Sequence, residues 1–218
     1  GVASVAGPTD SLLELVDRLA IQLLSREAGF PSKRLSSLDF EPLPAARAYL
    51  DGVAAYRRGQ YDVAVNDLEH ALRVDSTFAL AALELVLAAA ILPEPDGVTL
   101  GERLAWAARS HLDPTDGVLL RAFTGADYPR HTSGLDRLSR FDSAATMAAD
   151  RPDIWFMLGD QLYHIGPALG VEDREARATA AFERALALDQ AFEAPLEHLV
   201  DLAATMGATL RLIETREM

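Results

Sequence analysis

Cysteine is absent from all 218 residues. That removes disulfides, thiolate metal sites and cysteine nucleophiles, and it leaves the redox compartment undecided. Basic residues are in short supply. Twenty lysines and arginines stand against 33 aspartates and glutamates, for a net charge of −13. Nucleic acid and anionic membranes need a basic surface, so neither is expected as a partner. Long apolar runs are missing too. The longest covers 78–92 and is interrupted by Glu84, so no membrane span and no membrane contact are expected. No signal-peptide pattern is read in these residues, which says little about a longer parent. The chain opens on Gly-Val-Ala rather than on Met, and we expect a fragment of a longer protein.

Catalytic signatures are missing as well. There is no Gly-x-x-x-x-Gly-Lys-Ser/Thr, no Gly-x-Ser-x-Gly, no His-Glu-x-x-His and no helix-opening Gly-x-Gly-x-x-Gly. The expectation is a non-enzyme without cofactor or metal. Half of the residues are apolar, enough for a continuous core. Alanine and leucine dominate over β-branched runs, which favours helices.

The stretch 47–78, RAYLDGVAAYRRGQYDVAVNDLEHALRVDSTF, reads as two antiparallel helices. Gly59 breaks the first, because glycine takes a left-handed conformation at a helix end without steric cost. The second carries Ala64, Leu68, Ala71 and Leu72 at i, i+4, i+7 and i+8, one apolar stripe. Asp75-Ser76-Thr77 ends it. The same spacing returns at Ala178, Phe182, Ala185, Leu186, Leu188 and Asp189. It is preceded by Trp155, Leu158, Gly159, Leu162, Tyr163 and Gly166.

These residues resemble the tetratricopeptide repeat, a helix–turn–helix unit of about 34 residues. Gly52, Tyr56, Gly59, Tyr61, Ala64, Leu68, Ala71, Leu72 and Asp75 carry the likeness in the first copy. Asp51 and Ser76 depart from it, since the family has a large apolar residue and a proline there. The resemblance implies an all-α solenoid of about four helical hairpins, near 45–78, 79–114, 115–150 and 152–190. Capping helices follow over 192–215. An N-terminal helix and a proline-rich connector occupy 1–44; Thr9-Asp10-Ser11 offers the helix its cap, and Pro31, Pro42 and Pro44 mark the connector.

Within the array, 79–92 reads as a helix buried on all sides. The turn 93–97 precedes a partner helix at 100–111, with Leu104, Trp106, Ala107 and Ala108 inside. A short helix at 115–123 leads through an irregular loop, with Tyr128, Pro129 and His131, to a second helix at 135–149. A last helix is expected at 195–206, followed by a short tail.

Stacked repeats present a concave face lined by their first helices. The resemblance places Tyr49, Val53, Tyr56 and Arg57 there in the first repeat, and Phe156, Asp160, Tyr163 and His164 in the fourth. It implies a protein or peptide partner. Val53 and Asp160 stand where the family's carboxylate clamp wants asparagine, so capture of a C-terminal carboxylate is not expected. Asp160 and His164 lie at i, i+4 and could share a metal, but one pair supplies two ligands; we read a surface ion pair. His111 reads as a helix-terminal cation, His70 as solvated, and Glu197-His198 as a helical pair with no partner that suggests catalysis.

The phrases AYLDGVAAYRRGQYDVAVNDLEHALRVDSTFALA and DIWFMLGDQLYHIG are similar to the repeat region of bacterial serine/threonine kinase-type signalling receptors. That implies a sensory or scaffolding segment outside the cytoplasmic membrane. Two alternatives stay open: a repeat module of a cytoplasmic transcriptional regulator, and a small-molecule or peptide receptor whose long turns form a lip. Partner identity and oligomeric state stay open too.

Overall fold

A computed structural model describes residues 5, 12–27, 38, 41–93, 96–130 and 133–216. The expected caps of the first helix, most of the connector, and His131 lie outside them. Among the described residues the structure is all-helical: α1 (Leu12–Glu27), α2 (Leu43–Arg57), α3 (Tyr61–Val74), α4 (Ala79–Ala89), α5 (Asp96–Ala107), α6 (Pro114–Thr124), α7 (Gly134–Met147), α8 (Pro152–Asp160), α9 (Arg174–Leu188) and α10 (Ala194–Arg216). None of the described helices is long and apolar enough to cross a membrane. The helices gather into two compact units, 1–113 and 114–218.

In the first unit consecutive helices pack on one another. Gly59, at φ +72°, turns α2 back into α3, and the amides of Gly59 and Gln60 donate to the carbonyls of Tyr56 and Ala55, both at 3.0 Å. Ala64, Leu68, Ala71 and Leu72 are the buried stripe of α3. The two helices touch at Gly52, where a Cβ would lie 2.8 Å from Leu68 Cγ and 3.3 Å from the Ala64 carbonyl. Asp75 leaves α3 extended, and its carboxylate accepts from the Thr77 amide at 2.8 Å. That bend delivers Phe78 onto Tyr49, ring centroids 5.0 Å apart.

Every residue of α4 is buried, as its composition predicts. It is held between α3 and α5. The inward face of α5 differs from expectation. Gly101 and Ala105 are its buried residues, and a Cβ on Gly101 would meet the Ala82 carbonyl and Val86 Cγ2, both at 2.8 Å. Small residues at i, i+4 let the axes close up, which turns Ala107 to solvent and leaves Leu104, Trp106 and Ala108 half-covered. Trp106 instead carries the Arg109 guanidinium over its ring at 4.9 Å. The helix also begins at Asp96, four residues before the predicted start, and ends in a 3-10 turn at Arg109–His111.

In the second unit α6 and α7 pair through Phe123 and Phe141, edge to face at 5.0 Å. Ser133 and Asp136 form a capping box on α7. Arg151, buried ahead of α8, reaches Asp116 at 2.7 Å and Asp153 at 2.9 Å. Burial opposes its charge, but the two carboxylates outweigh that and hold its pKa above the ordinary arginine value. The pairing ties the start of α8 to the start of α6.

The α8–α9 pair repeats the glycine crossing, the aromatic step and the aspartate exit of the α2–α3 pair. Gly159 stands where Gly52 does, and its Cβ would lie 2.6 Å from the Phe182 ring. Phe156 takes the place of Tyr49 and Phe192 that of Phe78, with rings 5.1 Å apart. Asp189 repeats Asp75, accepting from the Ala191 amide at 3.1 Å. The difference is in the connection. Beyond Asp160 the chain widens into a π turn at Gln161–Ile165, and Gly134 at the head of α7 lies against Leu169 of the loop that follows. The last helix runs unbroken from Ala194 to Arg216, where a shorter helix and a tail were expected.

Two stability predictions follow from this packing. Gly159→Leu is expected to cost about 3 kcal/mol in urea unfolding by overpacking against Phe182. Gly117→Ala, in the open interior of α6, is expected to gain up to about 1 kcal/mol. Equal effects of the two would contradict the crossing. Separately, burial, and Asp75 beside it, lift the Glu41 carboxyl from 4.5 to about 7. The folded state therefore holds this proton more tightly than the unfolded chain. Its contribution is full below about pH 4.5 and is lost as pH rises through about 7. Glu41→Gln is expected to flatten that decline and to gain about 1 kcal/mol at pH 8, after discounting for the half-exposed side chain. An unchanged slope of stability against pH would exclude the assignment.

Candidate functional site

The π turn at the end of α8 lies at a cluster of polar residues in the second unit. π turns interrupt helices at a cost in geometry and frequently sit at functional sites. Here the Gly166 amide donates to the Gln161 carbonyl at 3.0 Å. Asp160, the last residue of α8, and His164, within the turn, share one side. From α10 comes His198, on the buried line Ala194, His198 and Leu202 at i, i+4 and i+8.

Three donor atoms converge. His164 Nε2 lies 3.3 Å from His198 Nε2. Asp160 Oδ1 is 3.5 Å from the first and 3.8 Å from the second. Asp160 is 4% exposed and His198 8%, while the His164 side chain is 52% exposed. The outer atoms are anchored. His198 Nδ1 faces the Ala194 carbonyl at 3.4 Å, and Gln161 Nε2 donates to Asp160 Oδ2 at 3.4 Å. Asp160 Oδ1 takes part in no hydrogen bond. Burial raises the Asp160 pKa, against the opposing pull of His164, His198 and Gln161. The walls are aromatic, with Phe182, Tyr163 and Phe156 at 4.8, 5.5 and 5.7 Å from the His198 ring.

A donor set of two imidazoles and one carboxylate can share protons or hold a cation. Asp160, His164 and His198 are such a group among the described residues. This corrects the sequence reading of Asp160 and His164 as a surface ion pair with two ligands only: Asp160 is buried, and His198 joins the pair as a third donor. Leu196 and Val200 are the conspicuous hydrophobes of α10, yet they face solvent. The readable signal was the four-residue spacing of Ala194, His198 and Leu202.

The expected groove residues are placed differently from the sequence reading. Tyr49, Val53, Tyr56 and Phe156 are buried, with Phe78 against Tyr49 and Phe192 against Phe156. Arg57 and Tyr163 are half-buried and His164 is exposed. Among the described residues of the first unit, one open cleft of about 420 Å³ is lined by Leu24, Arg47, Leu50, Asp51, Ala54, Arg58, Val63 and Asp67.

No protein-family model, no curated protein and no solved structure matches the chain.

Burial of the two aromatic anchors sets an expected outcome. Tyr49→Ala and Phe156→Ala should each lower stability by about 3–5 kcal/mol in chemical unfolding. Stability within 1 kcal/mol of the parent would return these rings to an open surface.

Proposed function

We propose that the chain is a tetratricopeptide-type helical-repeat module, a non-catalytic scaffold that binds a protein or peptide. The observation that carries this reading is the duplicated hairpin. Gly52 on Leu68 and Gly159 on Phe182 are the same crossing, and Tyr49 on Phe78 and Phe156 on Phe192 the same aromatic step. Repeat units of this kind bury their apolar faces on neighbours and leave extended surfaces for partners.

With the aromatic positions buried, the contact surface shifts to the cleft on α2. Two arginines and two aspartates ring an apolar floor of Leu24, Leu50, Ala54 and Val63. Alternating charges around an apolar floor suit a peptide side chain flanked by polar backbone. The strong negative charge makes a basic peptide the better electrostatic match. Placement within a bacterial signalling receptor, outside the cytoplasmic membrane, is part of the same proposal and rests on the two phrases quoted from the sequence.

Site-specific photo-crosslinking in the source cells tests this. A crosslinker at Asp51, in the cleft, is expected to trap one protein, identified by mass spectrometry. The same group at Arg73, exposed in the last turn of α3 and outside the cleft lining, is expected to trap none. Equal yields from both positions, or no adduct from Asp51, would remove the interaction reading.

A further inference from the structure

The geometry points to a divalent transition-metal site of the zinc class, formed by Asp160 Oδ1, His164 Nε2 and His198 Nε2. It is independent of the scaffold reading and would stand if that reading failed.

The separations of 3.3, 3.5 and 3.8 Å carry the argument. A point equidistant from three atoms so spaced lies about 2 Å from each, the length of Zn–N and Zn–O bonds. Ligands on a tetrahedral ion with bonds of about 2.1 Å stand about 3.4 Å apart, whereas adjacent ligands on an octahedral ion stand about 3.0 Å apart. The observed edges lie closer to the tetrahedral spacing than to the octahedral one. Calcium and magnesium favour all-oxygen shells, which two imidazoles do not provide.

A second, separate observation is the carboxylate itself. Asp160 is almost fully buried, and its Oδ1 takes no hydrogen bond although it faces both imidazoles. A buried anionic oxygen left in that state is costly, and an ion would satisfy it. The outer contacts have the form that metal sites use. The Ala194 carbonyl accepts from His198 Nδ1, which leaves the Nε2 lone pair facing inward. Gln161 occupies Oδ2 and presents Oδ1. His164 is the exposed member of the set, so solvent would reach a fourth position from its side. The bound ion would link the π turn to α10 across 34 residues and fix the last helix on α8 and α9.

The test uses the full untagged chain, stripped with chelator and titrated with ZnCl2 by calorimetry. One ion per chain is expected, with Kd of about 1 μM or tighter, together with a higher melting temperature. Co2+ in place of Zn2+ is expected to give the intense visible bands of a tetrahedral site. His164→Ala removes a ligand whose side chain is largely in solvent. It is expected to keep its helical circular dichroism and to lose at least about 100-fold in affinity, with the cobalt bands. His198→Ala gives the same loss from the buried side. No zinc uptake by the parent chain at 100-fold excess, or uptake unchanged in His164→Ala, would overturn the site; the latter would leave the exposed His70 and His111 as adventitious ligands.

Discussion

Close helix approach at a glycine is the constraint on which each compact unit depends. At Gly52 and Gly159 there is no room for a β-carbon between one helix and the side chain of the next. Dispersion forces fall steeply with distance, so a gap of even half an ångström forfeits a sizeable part of each contact. Glycine weakens a helix by roughly 1 kcal/mol relative to alanine. The loss is offset because Leu68 and Phe182 then seat directly on backbone and fill what would otherwise be a void.

The crossing also positions the polar cluster. Phe182 touches Gly159 on one side and faces the His198 ring at 4.8 Å on the other. The depth at which α9 sits on α8 therefore decides how close α10 can bring its imidazole to Asp160. The π turn acts in the same direction. By widening the helix after Asp160 it carries Tyr163 and His164 around to the side on which α10 arrives. An apolar crossing and a local irregularity together gather three donors from two separated segments.

The hairpins were legible because their determinants are local. Gly59, the stripe of Ala64, Leu68, Ala71 and Leu72, and the exits at Asp75 and Asp189 each act within a few residues. Burial of α4 on every side followed from its composition alone. What escaped was decided across helices. Leu104 and Trp106 lost the inward face of α5 to Gly101 and Ala105, because a close approach favours the smallest residues and periodicity counts only the apolar ones. Tyr49 and Phe156 look like exposed recognition aromatics until the returning Phe78 and Phe192 cover them. His198 lies 34 residues from His164, and an i, i+4 pairing within one helix says nothing about a partner arriving on another.

The uninterrupted burial of α4 bears on how the chain is made. A helix with no polar face has no orientation in which it can wait in water. When α4 leaves the ribosome, α2 and α3 are already available to one side of it, but α5 is not. At about 5–20 residues per second, the 18 residues from Ala89 to Ala107 take about 1–4 s to synthesise. Through that interval the far side of α4 is an adhesive surface, open to chaperones and to other nascent copies. The length of that window is set by the short turn into α5, which places the small-residue face of Gly101 and Ala105 almost next in line.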